Sequence, residues 1–201
     1  MDVTVPHHVR LRSQLLRVTC ARLTAADLSI VTGLTSTTGN RTALDLARSL
    51  DRLDAIAAVD ALTHRHLADL TALRSLMLSL PPLWGRQRIA GVLDQVNSDA
   101  ESPMESRLRV VLLDGGLPRP VSQFEVRDRD GRLVARLDLA YPAKRVGIEY
   151  EGDHHRERTA FRRDIARVNA LQQLAWTIVR ATADDVRNPD KLLRLIRQLL
   201  A

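Results

Sequence analysis

The sequence predicts an α/β protein in which a small mixed sheet flanked by helices follows a mostly helical N-terminal half. Apolar residues recur at helical spacing through the first hundred residues, and alternating strand patterns replace them afterwards. The last strands are separated by a helix-length segment, which favours a right-handed crossover and a parallel strand pair. A short polar stretch at 97–103 separates the two patterns, so we expect domains at 1–98 and 99–201.

The charge balance favours a polyanionic partner. The 201 residues carry a net charge of +6, and all but two of the thirty basic residues are Arg. Only six residues are Phe, Trp or Tyr, which argues against a row of stacked bases as the main binding device.

The expected cellular location rests on three sequence features: the apolar runs, the cysteine content and the first twenty residues. No run approaches eighteen apolar residues, so no membrane-spanning helix is expected. Cys20 is the only cysteine and excludes an internal disulfide, and the first twenty residues do not resemble an export signal. We therefore expect a cytoplasmic protein.

The N-terminal half predicts short strands and amphipathic helices. We expect strands near 9–16 and 28–31, and a turn over 35–40 whose polar end caps a helix over 43–50. Further helices are predicted around 53–62, 71–78 and 86–96. His64 and His66 fall at a helix end, where interaction with the helix dipole explains them, and no catalytic pattern is present.

The C-terminal half predicts a helix, a three-stranded meander, a helix, a strand and a final helix. Ser102-Pro103 begins the first helix and Gly115-Gly116 ends it. Strands are expected over 122–127, 132–140, 145–151 and 175–181, with the turn signal Asp130-Gly131 joining the first two. Helices are expected over 157–173 and 188–200, the former with inward residues Phe161, Ile165, Val168 and Leu171.

Acidic residues cluster on neighbouring strands of this meander. Alternation places Asp138 on the face opposite Leu137 and Leu139. A hairpin centred near 142–143 sets Asp138 opposite Gly147 and diagonal to Glu149, on the order of 5–8 Å away. Gly147 would leave open space between the two carboxylates, and Glu151 shares the face of Glu149.

Such a cluster needs compensating charge, and two explanations are open. Crowded carboxylates raise one another's pKa unless a positive group lies nearby. Arg136 and Arg145 would make the cluster an ion-pair patch. A divalent cation would instead take oxygen ligands from Asp138, Glu149 and the Tyr150 carbonyl.

The residues around this cluster also allow two interpretations each. His154 and His155 follow a strand end, where α/β sites gather, and either transfer protons or simply cap a helix. Glu105 fits a capping box with Ser102, yet its carboxylate also shares a helix face that leans toward the sheet. The following helix is either solvated or phosphate-contacting along Arg156, Arg158, Arg162, Arg163 and Arg167.

The succession of Glu105, Asp138, Glu149-x-Glu151-Gly152 and His154-His155 resembles the restriction-endonuclease-like nucleases with the PD-(D/E)xK motif. More closely, residues 101–201 are similar to a family related to the very-short-patch-repair endonucleases. The resemblance implies a restriction-endonuclease-like fold and a Mg²⁺-dependent (or Mn²⁺-dependent) hydrolysis of DNA phosphodiesters. It also implies a catalytic role for Glu105, Asp138, Glu149, Glu151, His154 and His155.

Two positions depart from that motif. Leu137 stands where the motif has Pro, and Glu151 stands where it has Lys. His155 is one candidate to replace the Lys, and Glu151 is a candidate additional metal ligand. A catalytically inactive, nucleic-acid-binding or antitoxin-like regulatory protein is therefore the alternative function.

Residues 35–48 carry a second resemblance, strongest over 40–48. They are similar to the segment after the winged helix in AbiEi-type antitoxins of type IV toxin–antitoxin systems. This resemblance implies a possible cognate toxin as a partner, and a DNA-binding winged helix that would lie upstream of the present residues.

Overall fold

The structure, a computed structural model, describes residues 2–5, 14–15, 17–81, 85–152 and 158–201, without the side chains of 2, 17 and 158–164. The strands are β1 (Asp2–Val5), β2 (Arg17–Cys20), β3 (Leu28–Val31), β4 (Leu34–Thr37), β5 (Val121–Arg127), β6 (Leu133–Tyr141), β7 (Val146–Tyr150) and β8 (Thr177–Ala181). The helices are α1 (Gly39–Ser49), α2 (Arg52–His64), α3 (Leu70–Ser79), α4 (Arg86–Leu93), α5 (Pro103–Asp114), α6 (Arg158–Gln173), α7 (Ala183–Arg187) and α8 (Asp190–Leu200). None of these described helices is both long and apolar enough to cross a membrane.

The C-terminal sheet has the order β5-β6-β7-β8. The first three strands pair antiparallel, and β7 pairs parallel with β8, which confirms the predicted mixed sheet and crossover. One core cluster joins this sheet to α5, α7 and α8 through residues such as Leu108, Val186 and Ile196. A second cluster joins it to Leu171 of α6. The α/β class and the flanking helices are therefore confirmed, although Ile165, expected inward, is 45% exposed.

The N-terminal half is built on α1 to α4, which share a core cluster containing Leu44, Ile56, Leu73 and Ile89. The strand at 28–31 is confirmed as β3. The turn predicted at 35–40 is wrong over its first residues, which form β4. Thr32 and Gly33, with φ of 50° and 81°, make the turn instead, because both adopt the left-handed conformation of a tight hairpin. Most of the strand predicted at 9–16 lies outside the described residues, and β1 and β2 were not predicted.

Two helix predictions need correction at their ends. The first helix starts at Gly39 rather than near 43, because the Thr38 hydroxyl accepts from the Arg41 amide and caps it there. The final helix predicted over 188–200 is preceded by the short α7, which Thr182 and Asp185 start with a reciprocal capping box.

The register of β6 and β7 differs from the prediction by two residues. Gly147 pairs with Ala140, not Asp138, because β6 continues through Tyr141 and the four-residue connection, formed by the 3-10 turn Pro142–Lys144 and Arg145, starts one residue later than predicted. The prediction of open space at Gly147 is also wrong. A Cβ there would lie 2.7 Å from Leu137 Cδ1 and 2.8 Å from Ile178 Cδ1.

Leu137 and Leu139 do not share a core, contrary to the simple alternation. Leu137 belongs to the cluster with Leu171 of α6, and Leu139 to the cluster with Leu108 of α5. The neighbouring strand is irregular at this point, since Gln123 has a φ of 50° and stands between the paired residues Ser122 and Phe124. Strand β6 itself changes face near Asp138, since Ala135, Leu137 and Ala140 belong to one cluster and Leu139 and Tyr141 to the other. Simple alternation therefore fails at this point of the sheet.

Helix α5 is also anchored to the N-terminal half. Arg109 and Asp60 form an ion pair of 2.8 Å, and both side chains are fully buried. Burial raises the pKa of the Asp60 carboxyl, while Arg109 and the Asn97 amide act in the opposite direction. Because buried charges need such partners, this contact holds α5 against α2 in one arrangement. The boundary at 98/99 stays a prediction.

Candidate active site

Glu105 lies in the first turn of α5 and is only 8% exposed. The Ser102 hydroxyl accepts from the Glu105 amide at 3.2 Å, which is one half of the predicted capping box. The Glu105 carboxylate does not complete the box at Ser102. It accepts instead from the Glu101 amide at 3.0 Å and from Gln123 Nε2 of β5 at 2.7 Å. Glu105 therefore caps the helix end and also leans toward the sheet.

Asp138 occupies the centre of the acidic group. Its Oδ2 accepts from the Tyr150 amide at 2.8 Å, and the β6–β7 register, continued by one pair beyond Leu139 and Ile148, sets it opposite Glu149. Burial raises the pKa of Asp138 from its ordinary 3.8 to about 6. The charges of Glu105 and Glu149 raise it further, whereas the Tyr150 amide and Arg167 lower it. The predicted proximity of Asp138 and Glu149 therefore holds, with a different pairing.

The two acids of β7 and its end are paired with arginines. Both terminal nitrogens of Arg167 on α6 donate to the Glu149 carboxylate, with 2.9 Å from Nη2 to Oε2. Arg180 of β8 lies 3.4 Å from Glu151 Oε2. The compensating charge thus comes from α6 and β8.

The arginines predicted to compensate the cluster bind elsewhere. Arg136 donates to Glu101, and Arg145 donates to the Leu174 carbonyl at 3.3 Å. That part of the ion-pair prediction is wrong, because the register shift sets Arg145 two residues further from Asp138 along β6 than predicted.

Several predicted residues cannot be compared with the structure. His154, His155 and Arg156 lie outside the described residues, as do the side chains of Arg158, Arg162 and Arg163. Arg167 alone of the predicted phosphate-contacting group has a described side chain, and it contacts the acidic cluster.

The donor chemistry suits a hard cation. Asp138, Glu149 and the Tyr150 carbonyl offer only oxygen, the ligand type that Mg²⁺ prefers. The accumulation of negative charge around Asp138 also favours an added cation. Within the described ranges, no group of three or more His, Cys, Asp or Glu side chains is already arranged to hold a metal. An ion that uses Glu149 must therefore compete with Arg167.

Sequence reasoning missed two residues of this site. Gln123 reaches Glu105 only because of the irregular backbone of β5, and no sequence signal marks it. Arg180 was detectable in principle, since it is the polar residue that alternates with buried Val179 and Ala181 on a parallel strand.

Comparison with known proteins adds relatives but no activity. The chain is 36% identical over 187 residues to two uncharacterized proteins of Mycobacterium tuberculosis, from strains CDC 1551 / Oshkosh and ATCC 25618 / H37Rv. The match covers 87% of this chain, and the chain spans 65% of the length of those relatives. No family model matches the chain. No solved structure matches it either.

Proposed function

We propose that this protein is a Mg²⁺-dependent endonuclease that hydrolyses phosphodiester bonds in DNA. One observation carries the proposal: Glu105, Asp138 and Glu149 come together from a helix and two strands, and burial together with the charges of the two neighbouring acids raises the pKa of Asp138 to about 6. A carboxyl whose pKa is raised by burial and by specific charged neighbours is characteristic of functional sites.

The residues of this site would take separate roles in cation binding, water orientation and proton transfer. Asp138 and Glu149 would hold the cation, with the Tyr150 carbonyl as a third oxygen donor. Glu105, fixed by Gln123 and the Glu101 amide, would orient water beside them. When bound, the cation would lower the pKa of water and neutralise charge on the phosphate. His154 and His155 are the candidates for proton transfer, and Glu151 for a further ligand.

The finer fold assignment belongs to the same proposal. The described order of α5, β5-β6-β7, α6 and β8 has the succession expected of a restriction-endonuclease-like domain. The DNA partner rests on this resemblance together with the net charge of +6. A cytoplasmic location and a cognate toxin remain predictions of the sequence.

A second candidate function is nucleic-acid binding without turnover. It is favoured by one specific observation: Arg167 already neutralises Glu149, and Glu151 stands at the motif's Lys position, paired with Arg180. A cluster compensated by arginines is stable without a metal and could persist in an inactive domain.

Titration of Mg²⁺ and Mn²⁺ against plasmid, single-stranded and mismatched DNA separates these functions. The endonuclease proposal expects metal-dependent cleavage that Asp138→Ala abolishes while DNA affinity stays near normal. Asp184→Ala is the matched control, because that carboxylate is 83% exposed on α7 and should leave cleavage unchanged.

DNA binding without cleavage by the unmutated protein would favour the second candidate. An unmutated protein with neither cleavage nor salt-sensitive DNA binding would contradict both functions.

A further inference from the structure

A cavity of about 300 Å³ is lined by none of the residues of the acidic cluster. It is enclosed by the β5–β6 hairpin, the start of β7 and the connection between α6 and β8. Among the described residues the lining includes no acid and consists of Arg127, Arg129, Arg145, Gln173, Leu174, Ala175 and Trp176. Two arginines of the β5–β6 hairpin, Arg127 and Arg129, thus share one opening with Arg145 from the start of β7.

The three arginines differ in how far their donors are already used. Arg127 donates to Glu125 and to the Gly131 carbonyl, and Arg145 gives one nitrogen to the Leu174 carbonyl. Arg129 is exposed and has no hydrogen-bond or ion-pair partner among the described residues. Because a guanidinium has five N–H donors, most of the donor capacity around the cavity is available to a ligand.

Backbone conformation holds two of the lining residues in place. Arg145 has a φ of 52° and Ala175 a φ of 60°, in a region that non-glycine residues seldom occupy. Such residues persist only where surrounding structure imposes them, and they concentrate at binding sites. Here the 3-10 turn Pro142–Lys144 imposes the first, and the end of α6 imposes the second.

Trp176 supplies a rigid wall. It is 9% exposed, and its ring lies 5.5 Å from that of Phe124 at an angle of 36°. This tilted aromatic contact holds the indole in place. The indole ring therefore forms a flat apolar wall beside the arginine side chains of the cavity.

We infer that this cavity binds a phosphate group, held by Arg129 and Arg145 beside the indole of Trp176. Planar guanidinium groups match phosphate oxygens in pairs, and an anion is the ligand whose charge the lining complements. The phosphate can belong to a nucleic-acid backbone or to a small phosphorylated molecule. The inference does not rest on the proposed endonuclease activity.

Tryptophan fluorescence tests this directly, because the sequence contains only Trp84 and Trp176. In a Trp84→Phe parent, the emission of Trp176 is recorded during titration with inorganic phosphate, a deoxynucleoside monophosphate and a short DNA duplex. A saturable change with the duplex alone supports binding of a nucleic-acid backbone. A saturable change with phosphate or the nucleotide supports a small phosphorylated ligand. No change with any of the three overturns the inference.

Arginine variants localise the binding. Arg129→Ala should weaken it about tenfold, as expected for loss of a charge-assisted contact, and should lower the salt slope by about 1 if the ligand is DNA. Arg132→Ala is the matched control, because Arg132 lies in the same hairpin, is 80% exposed and does not line the cavity. Equal weakening by both variants would also overturn the inference.

The two proposals fail separately. Asp138→Ala should abolish cleavage and keep the fluorescence change, and the control Arg132→Ala should keep both.

Discussion

The two ends of β7 carry opposite charge in opposite environments. Glu149 stands near its C-terminal end with 14% of its side chain exposed, and Asp138 lies beside it. Arg145 precedes its N-terminal end, roughly 13 Å away along the strand at ~3.3 Å per residue, and is exposed. Asp138 is desolvated and lies within the field of Glu105 and Glu149, whereas Arg145 lines an open cavity.

This difference separates two uses of charge. Burial shifts the pKa of a carboxyl and raises the free energy of its ionised form, which suits chemistry or cation binding. Exposed guanidinium groups keep their charge at all ordinary pH values and suit recognition of anions. We therefore expect changes at the acidic end of β7, at Asp138 and Glu149, to alter the rate of cleavage. Changes at the basic end, at Arg145 and the cavity that it lines, should alter the affinity for phosphate.

The largest contrast is expected when one glutamate beside each site is replaced by glutamine: Glu149 in the acidic cluster and Glu125, the ion-pair partner of Arg127, beside the cavity. Glu149→Gln should reduce Mg²⁺-dependent cleavage at least about 100-fold, because it removes a ligand charge worth several kcal/mol. Glu125→Gln should leave cleavage unchanged and strengthen phosphate binding about threefold, because it releases Arg127 from its ion pair. Cleavage rates and Trp176 fluorescence measure the two effects. Loss of cleavage in both variants would remove the distinction between the ends.

A substitution at Gly147 tests how closely β7 is packed between its two ends. Gly147→Ala should lower the free energy of unfolding by about 1–3 kcal/mol, because its Cβ would press on Leu137 and Ile178. Urea unfolding measures the loss. Gly91→Ala is the control, since a Cβ added there would meet no atom of the described residues within 4 Å and Ala favours a helix. An unchanged stability in Gly147→Ala would contradict the close packing across β7.

The ionised carboxylate of Asp138 should lower the free energy of unfolding at neutral pH. A pKa raised to about 6 means that the native state prefers the protonated form, so its stabilising contribution is complete below about pH 4 and disappears as the pH rises through 6. Asp138→Asn should therefore increase the free energy of unfolding at pH 7 by about 2 kcal/mol, with no gain below pH 4. Denaturation across pH 4–7 measures the difference between variant and parent. A variant less stable than its parent at pH 7 would contradict the raised pKa.

The basic end should show the smallest effect, which comes from backbone strain. Ala175 follows α6 in a Schellman arrangement, with Trp176 N donating to Leu171 O at 3.0 Å and Ala175 N to Gln172 O at 2.9 Å. Ala175→Gly should increase stability by about 0.5–1 kcal/mol, because Gly adopts this conformation without a Cβ clash. Ala170→Gly within α6 should have the opposite sign by a similar amount. Thermal unfolding compares the two, and equal signs would contradict the strain at Ala175.

The sequence predicted the order of elements in the C-terminal half because each has a local signal. Ser102 at a helix start, Gly115-Gly116 at its end and Asp130-Gly131 in a hairpin act through their own backbone preferences. The pairing of Asp138 was predicted two residues away from its true position, because the start of the four-residue connection 142–145 is set by a 3-10 turn rather than by strand alternation. Thr32-Gly33 was missed as a turn because only Gly33 carries a strong signal.

The sequence by itself determined the α/β succession, the basic net charge and the presence of acids near neighbouring strand ends. The tertiary structure decided that Arg167 and Arg180 compensate those acids, that Gln123 reaches Glu105, and that two arginines of the β5–β6 hairpin share a cavity with Arg145 and Trp176. The physical reason is the range of the interactions. Helix caps, turns and alternation act over a few residues, whereas desolvation and ion pairing depend on which distant side chains the packed sheet brings together.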